Sequence, residues 1–188
     1  MSLRGSFCLF AVFLSVELAS AKTHFDVDVA YLQESRTTSS TSTRTGLFYS
    51  GGLFLDATGK EKFYLGAVFA AGAVTDAGAS RQSFSHQDMM LAARWFVDRQ
   101  KLLCLSGGYG VVSRASLKEA SGSPLEQWEG TSLYAKITLA PEIRRWTVGV
   151  SLIYHQGNYV EKTVQGTTTS DTFQRTMIWP ALSLGYKW

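Results

Sequence analysis

Three histidines occur in the 188 residues, and two of them lie near groups with which imidazole does acid–base work. His155 stands in Tyr154-His155-Gln156-Gly157-Asn158 with Glu161 following, and His86 is flanked by Ser85 and Asp88. A serine becomes a nucleophile when an imidazole takes its proton and an acidic group orients that imidazole. Ser151 is separated from His155 by ~13 Å if the chain is extended, too far for direct proton transfer. The Ser85, His86 and Asp88 grouping has no better support, so both histidines are read as structural and no catalytic residue is assigned. No His, Cys, Asp or Glu cluster has the spacing of a metal site, and Gly107-Gly108-Tyr109-Gly110 precedes no helix, as a phosphate-binding loop would. No metal, nucleotide or other cofactor is expected. Those glycines read as room within a strand for a bulky neighbour such as Tyr64, Tyr134 or Trp179.

Asp88 and four further charges, Asp26, Asp28, Arg94 and Lys136, fall inside segments that alternate with period two. Such segments run near residues 24–33, 45–56, 62–74, 87–97, 101–112, 131–140, 145–155 and 175–188, which predicts eight strands. Short turns (56–61, 98–100, 141–144) alternate with longer Ser, Thr and Gly-rich stretches (34–44, 75–86, 113–130, 156–174). That alternation describes an up-and-down meander with four long loops at one end. Split by parity, one face of the strands carries Phe25, Val27, Val29, Leu53, Phe69, Leu91, Leu105, Ile137, Val150 and Leu182, and no charge. All of the strand charge lies on the other face. Propensity does not distinguish the two faces of one strand, so the sorting means that one face meets hydrocarbon.

Hydrophobic residues make up 45% of the chain and charged residues 18%, enough apolar surface for one ordinary domain. The net charge of +3 is spread rather than gathered, so nucleic acid is not an expected partner. Arg4, the apolar run from Phe7 to Leu18 and Ala19-Ser20-Ala21 have the form of a secretory signal. Residues 1–21 are therefore read as a signal peptide cleaved near Ala21, and 22–188 as a single domain. Cys8 leaves with the signal and Cys104 remains alone, so no internal disulfide is expected. No run after Ala21 is long enough to be a membrane-spanning helix.

Two barrels satisfy the parity. A secreted lipocalin-like binder turns its apolar face inward around a ligand, and an outer-membrane barrel does the reverse. Glycines on the charged face, among them Gly52, Gly66, Gly72, Gly108 and Gly149, weaken an exposed strand but relieve a narrow lumen. On the apolar face, Phe25, Phe63, Trp95, Trp146, Tyr186 and Trp188 gather at the short-turn end, and Tyr31, Tyr49, Tyr109 and Tyr154 at the loop end, as two interfacial girdles. These features favour lipid outside: an all-β, eight-stranded antiparallel up-and-down transmembrane β-barrel.

The last strand, Pro180-Ala181-Leu182-Ser183-Leu184-Gly185-Tyr186-Lys187-Trp188, resembles the C-terminal signal of bacterial outer-membrane β-barrels. The whole mature chain resembles in architecture the small eight-stranded barrels of the OmpA-domain, OmpX and OmpW kind. That resemblance implies recognition of Leu182, Leu184, Tyr186 and Trp188 by the barrel-assembly machinery, although Phe is the usual last residue. It also implies the bacterial outer membrane as location, with its lipids and lipopolysaccharide as surroundings. Some small barrels of this kind are lipid A deacylases or acyltransferases, but the deacylase pattern places a serine where this chain has Gly157.

Eight strands leave an interior that side chains fill, whereas a wide pore needs ~16. Asp26, Asp28, Asp88, Arg94 and Lys136 are therefore expected to form an ion-pair network in the lumen. The expected role is a structural or surface-interaction one, as a monomer binding an unidentified extracellular ligand at its loops. A narrow gated channel is the variant of that reading. A lipocalin-like binder and a lipid A-modifying hydrolase are the alternatives.

Overall fold

A computed structural model describes residues 22–37, 41–77, 82–119 and 122–188. The signal segment 1–21 lies outside the described residues. Eight long strands follow one another: β1 (Thr23–Thr37), β2 (Thr41–Asp56), β3 (Phe63–Asp76), β4 (Ser83–Phe96), β5 (Leu103–Lys118), β6 (Glu126–Leu139), β8 (Trp146–Val164) and β9 (Thr167–Lys187). A two-residue strand, β7 (Glu142–Ile143), pairs back on Trp146–Thr147 in the turn before β8. Each long strand is antiparallel to the next, β6 pairs with β8, and β9 pairs with β1 from Val29↔Leu182 to His24↔Lys187. The sheet thus closes on itself. Closure removes the edges whose unpaired peptide groups lipid cannot satisfy.

The apolar parity faces outward. Leu182 is 72% exposed, Leu91 67% and Val29 49%, a surface that in water would be a severe aggregation liability and in lipid is solvated. The two girdles stand where parity put them, with Trp146 packed edge-on against Tyr186 at 4.7 Å and Tyr186 against Trp188 at 5.6 Å. The charged parity faces inward, so the lipocalin arrangement, apolar inside and charged outside, is not the one this chain adopts. The lumen is nonetheless far from purely polar. Phe48, Phe54, Tyr64, Phe96, Tyr134, Ile153 and Trp179 pack there with the charges, and Phe84, Trp128 and Tyr159 form a second apolar cluster toward the loop end.

The long loops expected from composition are mostly strand. The stretch 156–174, read as a loop, is the upper part of the β8–β9 hairpin, which pairs as far as Val164↔Thr167. Only Gln165 and Gly166 are left between the strands, both at positive φ (49° and 83°), a two-residue hairpin turn. In the stretch 113–130, β5 likewise runs on to Lys118 and β6 begins at Glu126; residues 120–121 lie outside the described residues. Beyond the lipid neither face of a hairpin needs to be apolar, so alternation fades while β-favouring threonines keep the backbone extended. Residues 34–44 and 75–86 are also largely strand, apart from 38–40 and 78–81, which lie outside the described residues.

A bulge at Val111 sets Met89 opposite Val112 and Met90 opposite Gly110. Val111 and Val112 are both exposed, and the parity of β5 inverts above them. Ser113 consequently points into the lumen, where it is 1% exposed.

At the short-turn end the turns are tied together by one carboxylate. Glu61 accepts from Lys22, Lys101 and Lys187 (2.6 Å for the last), and Lys187 also reaches Glu142 at 2.9 Å. The hydrogen bonds from Lys101, Lys187 and Lys22 hold the Glu61 carboxyl well below its usual range. A carboxyl depressed on folding contributes stability above its unfolded value, near about 4.3, and loses it as pH falls toward the folded value. The share of the stability that Glu61 contributes to the detergent-embedded barrel should therefore be constant between pH 8 and about 5 and fall below that. Glu61→Gln should unfold more readily at pH 7 and lose part of this acid dependence, as read by tryptophan fluorescence in urea.

Candidate functional site in the lumen

β1, β4 and β6 each place inward charges at the same depth. Arg94 on β4 reaches Asp26 with Nη2 and His24 Nδ1 with Nη1, donates from Nε to Ser106 at 3.2 Å, and lies 4.0 Å above the Phe54 ring. Lys136 on β6 donates to Asp26 and, at 2.8 Å, to Asp28. Asp28 also accepts from Ser50 at 2.6 Å and from Ser183, and Ser183 continues into Ser151 and then Thr138 (2.7 Å). All four charged groups are buried. Two carboxylates and two cations make the cluster formally neutral, and the hydroxyls fill the remaining lone pairs, which a buried ion pair requires.

The space left is small. A cavity of about 20 Å³, lined by His24, Asp26, Arg94, Phe96, Cys104 and Thr138, has room for roughly one water. Above it Trp179 stacks on Phe48 at 5.6 Å, with its ring over Gly46, where a Cβ would stand 2.7 Å from the indole. The bulky neighbour thus sits at Gly46 and not at the Gly107–Gly110 run, whose Gly108 and Gly110 face Ala92, Ser132 and Met90.

Asp88 does not join this network. It stands six residues from Arg94 on the same strand, ~20 Å along it. Its Oδ2 meets His86 Nδ1 at 2.6 Å and His155 Nε2 at 2.9 Å, and its Oδ1 accepts from Ser113. The two imidazoles stack at 4.3 Å with 27° between their planes, and the Phe48 and Phe84 rings lie near-parallel to His86 at 6.1 and 6.0 Å. His155, read as a loop-end residue, is in fact wholly buried, because β8 runs well past it.

Neither serine–histidine arrangement weighed from the sequence is assembled. Ser85 is on the outer face, paired with Ser116 at 2.9 Å, while His86 faces inward. Ser151 belongs to the hydroxyl chain below, and Ser113 bonds the carboxylate rather than an imidazole. What sequence spacing did not show is the meeting of His86, Asp88 and His155, whose donor atoms all lie within 4.8 Å of one another. The signal was parity: 86 and 88 share a face of β4, and 155 has the inward parity of β8.

Arg94→Ala would leave Asp26 with one cation instead of two, in a space that water enters poorly. Loss of one partner of a buried pair costs about 3–5 kcal/mol, and Arg94→Ala should lower the urea stability of the lipid-embedded barrel by that order. Ser85→Ala, on the outer face, should change it little.

No protein-family model matches this sequence, and no curated protein sequence matches it. Among solved structures, it is similar to Neisserial surface protein A (NspA), with a TM-score of 0.50 and 11% identity over 89% of this chain and 97% of that one. The translocator domain of the autotransporter NalP from Neisseria meningitidis matches with a TM-score of 0.44 and 13% identity, over 96% of this chain and 70% of that one. The outer membrane protein OmpT of Vibrio cholerae matches with a TM-score of 0.33 and 13% identity, over 89% and 52%. At such identities the likeness to NspA speaks for fold alone. Together with a closed antiparallel sheet, a charge-free outer face and two aromatic girdles, it gives this chain the fold of the small outer-membrane β-barrels.

Proposed function

We propose that the barrel is a non-conducting, monomeric outer-membrane protein with a structural and surface-interaction role, exported by its first 21 residues. The observation that carries this reading is the side-chain-filled lumen: Arg94, Lys136, Asp26 and Asp28 are buried and neutralise one another, and the cavity beside Asp26 and Arg94 has room for about one water. A path for ions needs groups that bind weakly enough to release, and these are held by one another. Function is thereby displaced to the outside. There a groove of about 590 Å³ crosses the outer face of β2 to β6 toward the long hairpins, with Tyr49, Ala71 and Ala73 on one side and Gln87, Arg114 and Glu129 on the other. An apolar floor beside polar walls suits the boundary between lipid chains and lipopolysaccharide headgroups, and an extracellular ligand would be met at the adjoining hairpin tips.

Planar-bilayer recordings of the purified barrel should show no discrete openings. Stable, reproducible steps would favour the gated-channel variant instead.

The same reading assigns Leu182, Leu184, Tyr186 and Trp188 to recognition by the assembly machinery. The backbone of Trp188 exchanges hydrogen bonds with Thr23 (3.1 and 3.2 Å), so the segment that would be recognised also closes the barrel. Deletion of Trp188 should reduce the membrane-inserted, heat-modifiable form to well under half of wild type while leaving total synthesis unchanged. Unaltered insertion would remove Trp188 from the assembly signal.

A further inference from the structure

Asp88 is the buried carboxylate of the lumen that, among the described residues, makes no ion pair with lysine or arginine. Asp26 and Asp28 have Arg94 and Lys136; Asp88 has two imidazoles and a hydroxyl. A carboxylate fully removed from water without a counter-charge is among the costliest groups a protein can bury. Arg175 lies in the same part of the lumen, 4.3 Å over the Phe84 ring, but pairs with no oxygen of Asp88; a positive charge in contact with the carboxylate must come from a proton on one of the imidazoles or from a bound cation.

We infer that His86 Nδ1, His155 Nε2 and an Asp88 carboxylate oxygen form a binding site for one divalent first-row transition metal of the zinc type. Two imidazole nitrogens with one carboxylate suit zinc, cobalt or nickel, and do not suit calcium or magnesium, which prefer all-oxygen ligands. The two nitrogens lie 2.6 and 2.9 Å from Asp88 Oδ2, and all three donor atoms lie within 4.8 Å of one another. Ligands on one tetrahedral zinc stand about 3.3 Å apart, so the His86 and His155 nitrogens must draw back from Asp88 Oδ2 by about 0.7 and about 0.4 Å to admit the ion. Ser113 on Asp88 Oδ1 fixes the carboxylate from behind, and the Phe48 and Phe84 rings hold the plane of His86, the orienting role usual for groups around a metal ligand. Ligation at Nδ1 of His86 and Nε2 of His155 moves their remaining protons to His86 Nε2 and His155 Nδ1. Both atoms are buried without a hydrogen-bond partner, so each N–H would be held there unpaired, a cost the metal bonds must exceed.

The placement also says what such an ion would do. β4 and β8 are not neighbours in the sheet, since β5 and β6 stand between them. A metal on His86, Asp88 and His155 would join them across the lumen. With all three ligands buried, it would enter as the barrel closes rather than afterwards. This inference does not depend on the reading of the protein as non-conducting, because an ion bound here leaves the Arg94 and Lys136 cluster as it is.

The test is to fold the untagged chain into detergent with and without zinc, remove free metal with a weak chelator and gel filtration, and measure zinc by mass spectrometry. About one zinc per barrel is expected in the wild type, retained only when zinc is present during folding, and little in folded His155→Ala or Asp88→Asn. Zinc-folded wild type should also unfold at a higher temperature than the metal-free barrel. Should neither variant fold, ¹⁵N-histidine labelling of the wild type gives the decision: zinc should shift the ring nitrogens of two of the three imidazoles and spare the third, His24. Folded wild type that retains no zinc would overturn the site and leave Asp88 balanced by an imidazolium proton. Zinc retained equally by the folded variants, or a ¹⁵N pattern in which two imidazoles do not respond, would overturn it as well.

Discussion

A peptide N–H or C=O facing hydrocarbon has no water to turn to, and this single constraint organises the molecule. It forces a sheet in lipid to close, and closure with eight long strands leaves a lumen only wide enough for side chains. Whatever charge the inward parity carries must then be balanced inside. The chain meets that demand in two ways at two depths. Near the short-turn end, Asp26 and Asp28 face Arg94 and Lys136, a closed and formally neutral arrangement. Higher up, Asp88 is given ligands instead of a fixed counter-charge. The first arrangement is complete with the groups the chain supplies, and the second is complete only with a proton or a metal ion.

These contacts also tie together strands that the sheet leaves apart. Arg94 to Asp26 joins β4 to β1, Lys136 to Asp26 and Asp28 joins β6 to β1, and His155 to Asp88 joins β8 to β4. None of these pairs is adjacent in the sheet, so none forms until the barrel is nearly closed. Hydrogen bonding around the ring and neutralisation across it are therefore gained together. The outer face adds little selectivity of its own, since one lipid-facing Leu or Val is solvated much like another. Specific shape resides inside, where Trp179 over Gly46 and the stack of Phe48, His86 and His155 admit few substitutes.

Parity made the barrel legible before any coordinate. Phe25, Val27 and Val29 alternate with Asp26 and Asp28, and the same sorting in seven more segments could mean only a surface in hydrocarbon. It also placed Arg94 and Lys136 inside with the aspartates. Partnership was beyond it, because depth in the lumen depends on strand stagger, which alternation does not encode. Asp88 looked like a third member of one network and belongs to another. His155 read as the last residue of its strand because Gln156 to Gln174 lose apolar alternation, although β8 and β9 continue through them to the turn at Gln165 and Gly166. The extent of a strand beyond the membrane is written in threonine content and turn chemistry, a weaker signal than the one that lipid imposes.

Ser113 shows how one inserted residue joins the two levels of description. By unbroken alternation from Tyr109 it belongs to the lipid face, together with Val111. The bulge at Val111 leaves two valines outside in succession and turns every later residue of β5 over, so that Ser113, Ala115 and Leu117 face inward while Arg114 and Ser116 face out. Without that inversion the Asp88 carboxylate would lose its hydroxyl donor, and Arg114 would point into the lumen beside Phe84 and His86. An arginine there would supply the fixed counter-charge that Asp88 lacks. The bulge therefore does more than bend the strand: it gives Asp88 its hydroxyl donor and turns Arg114 outward, so that the cation of the upper lumen is Arg175, over the Phe84 ring, and the groups in contact with Asp88 are the two imidazoles and Ser113.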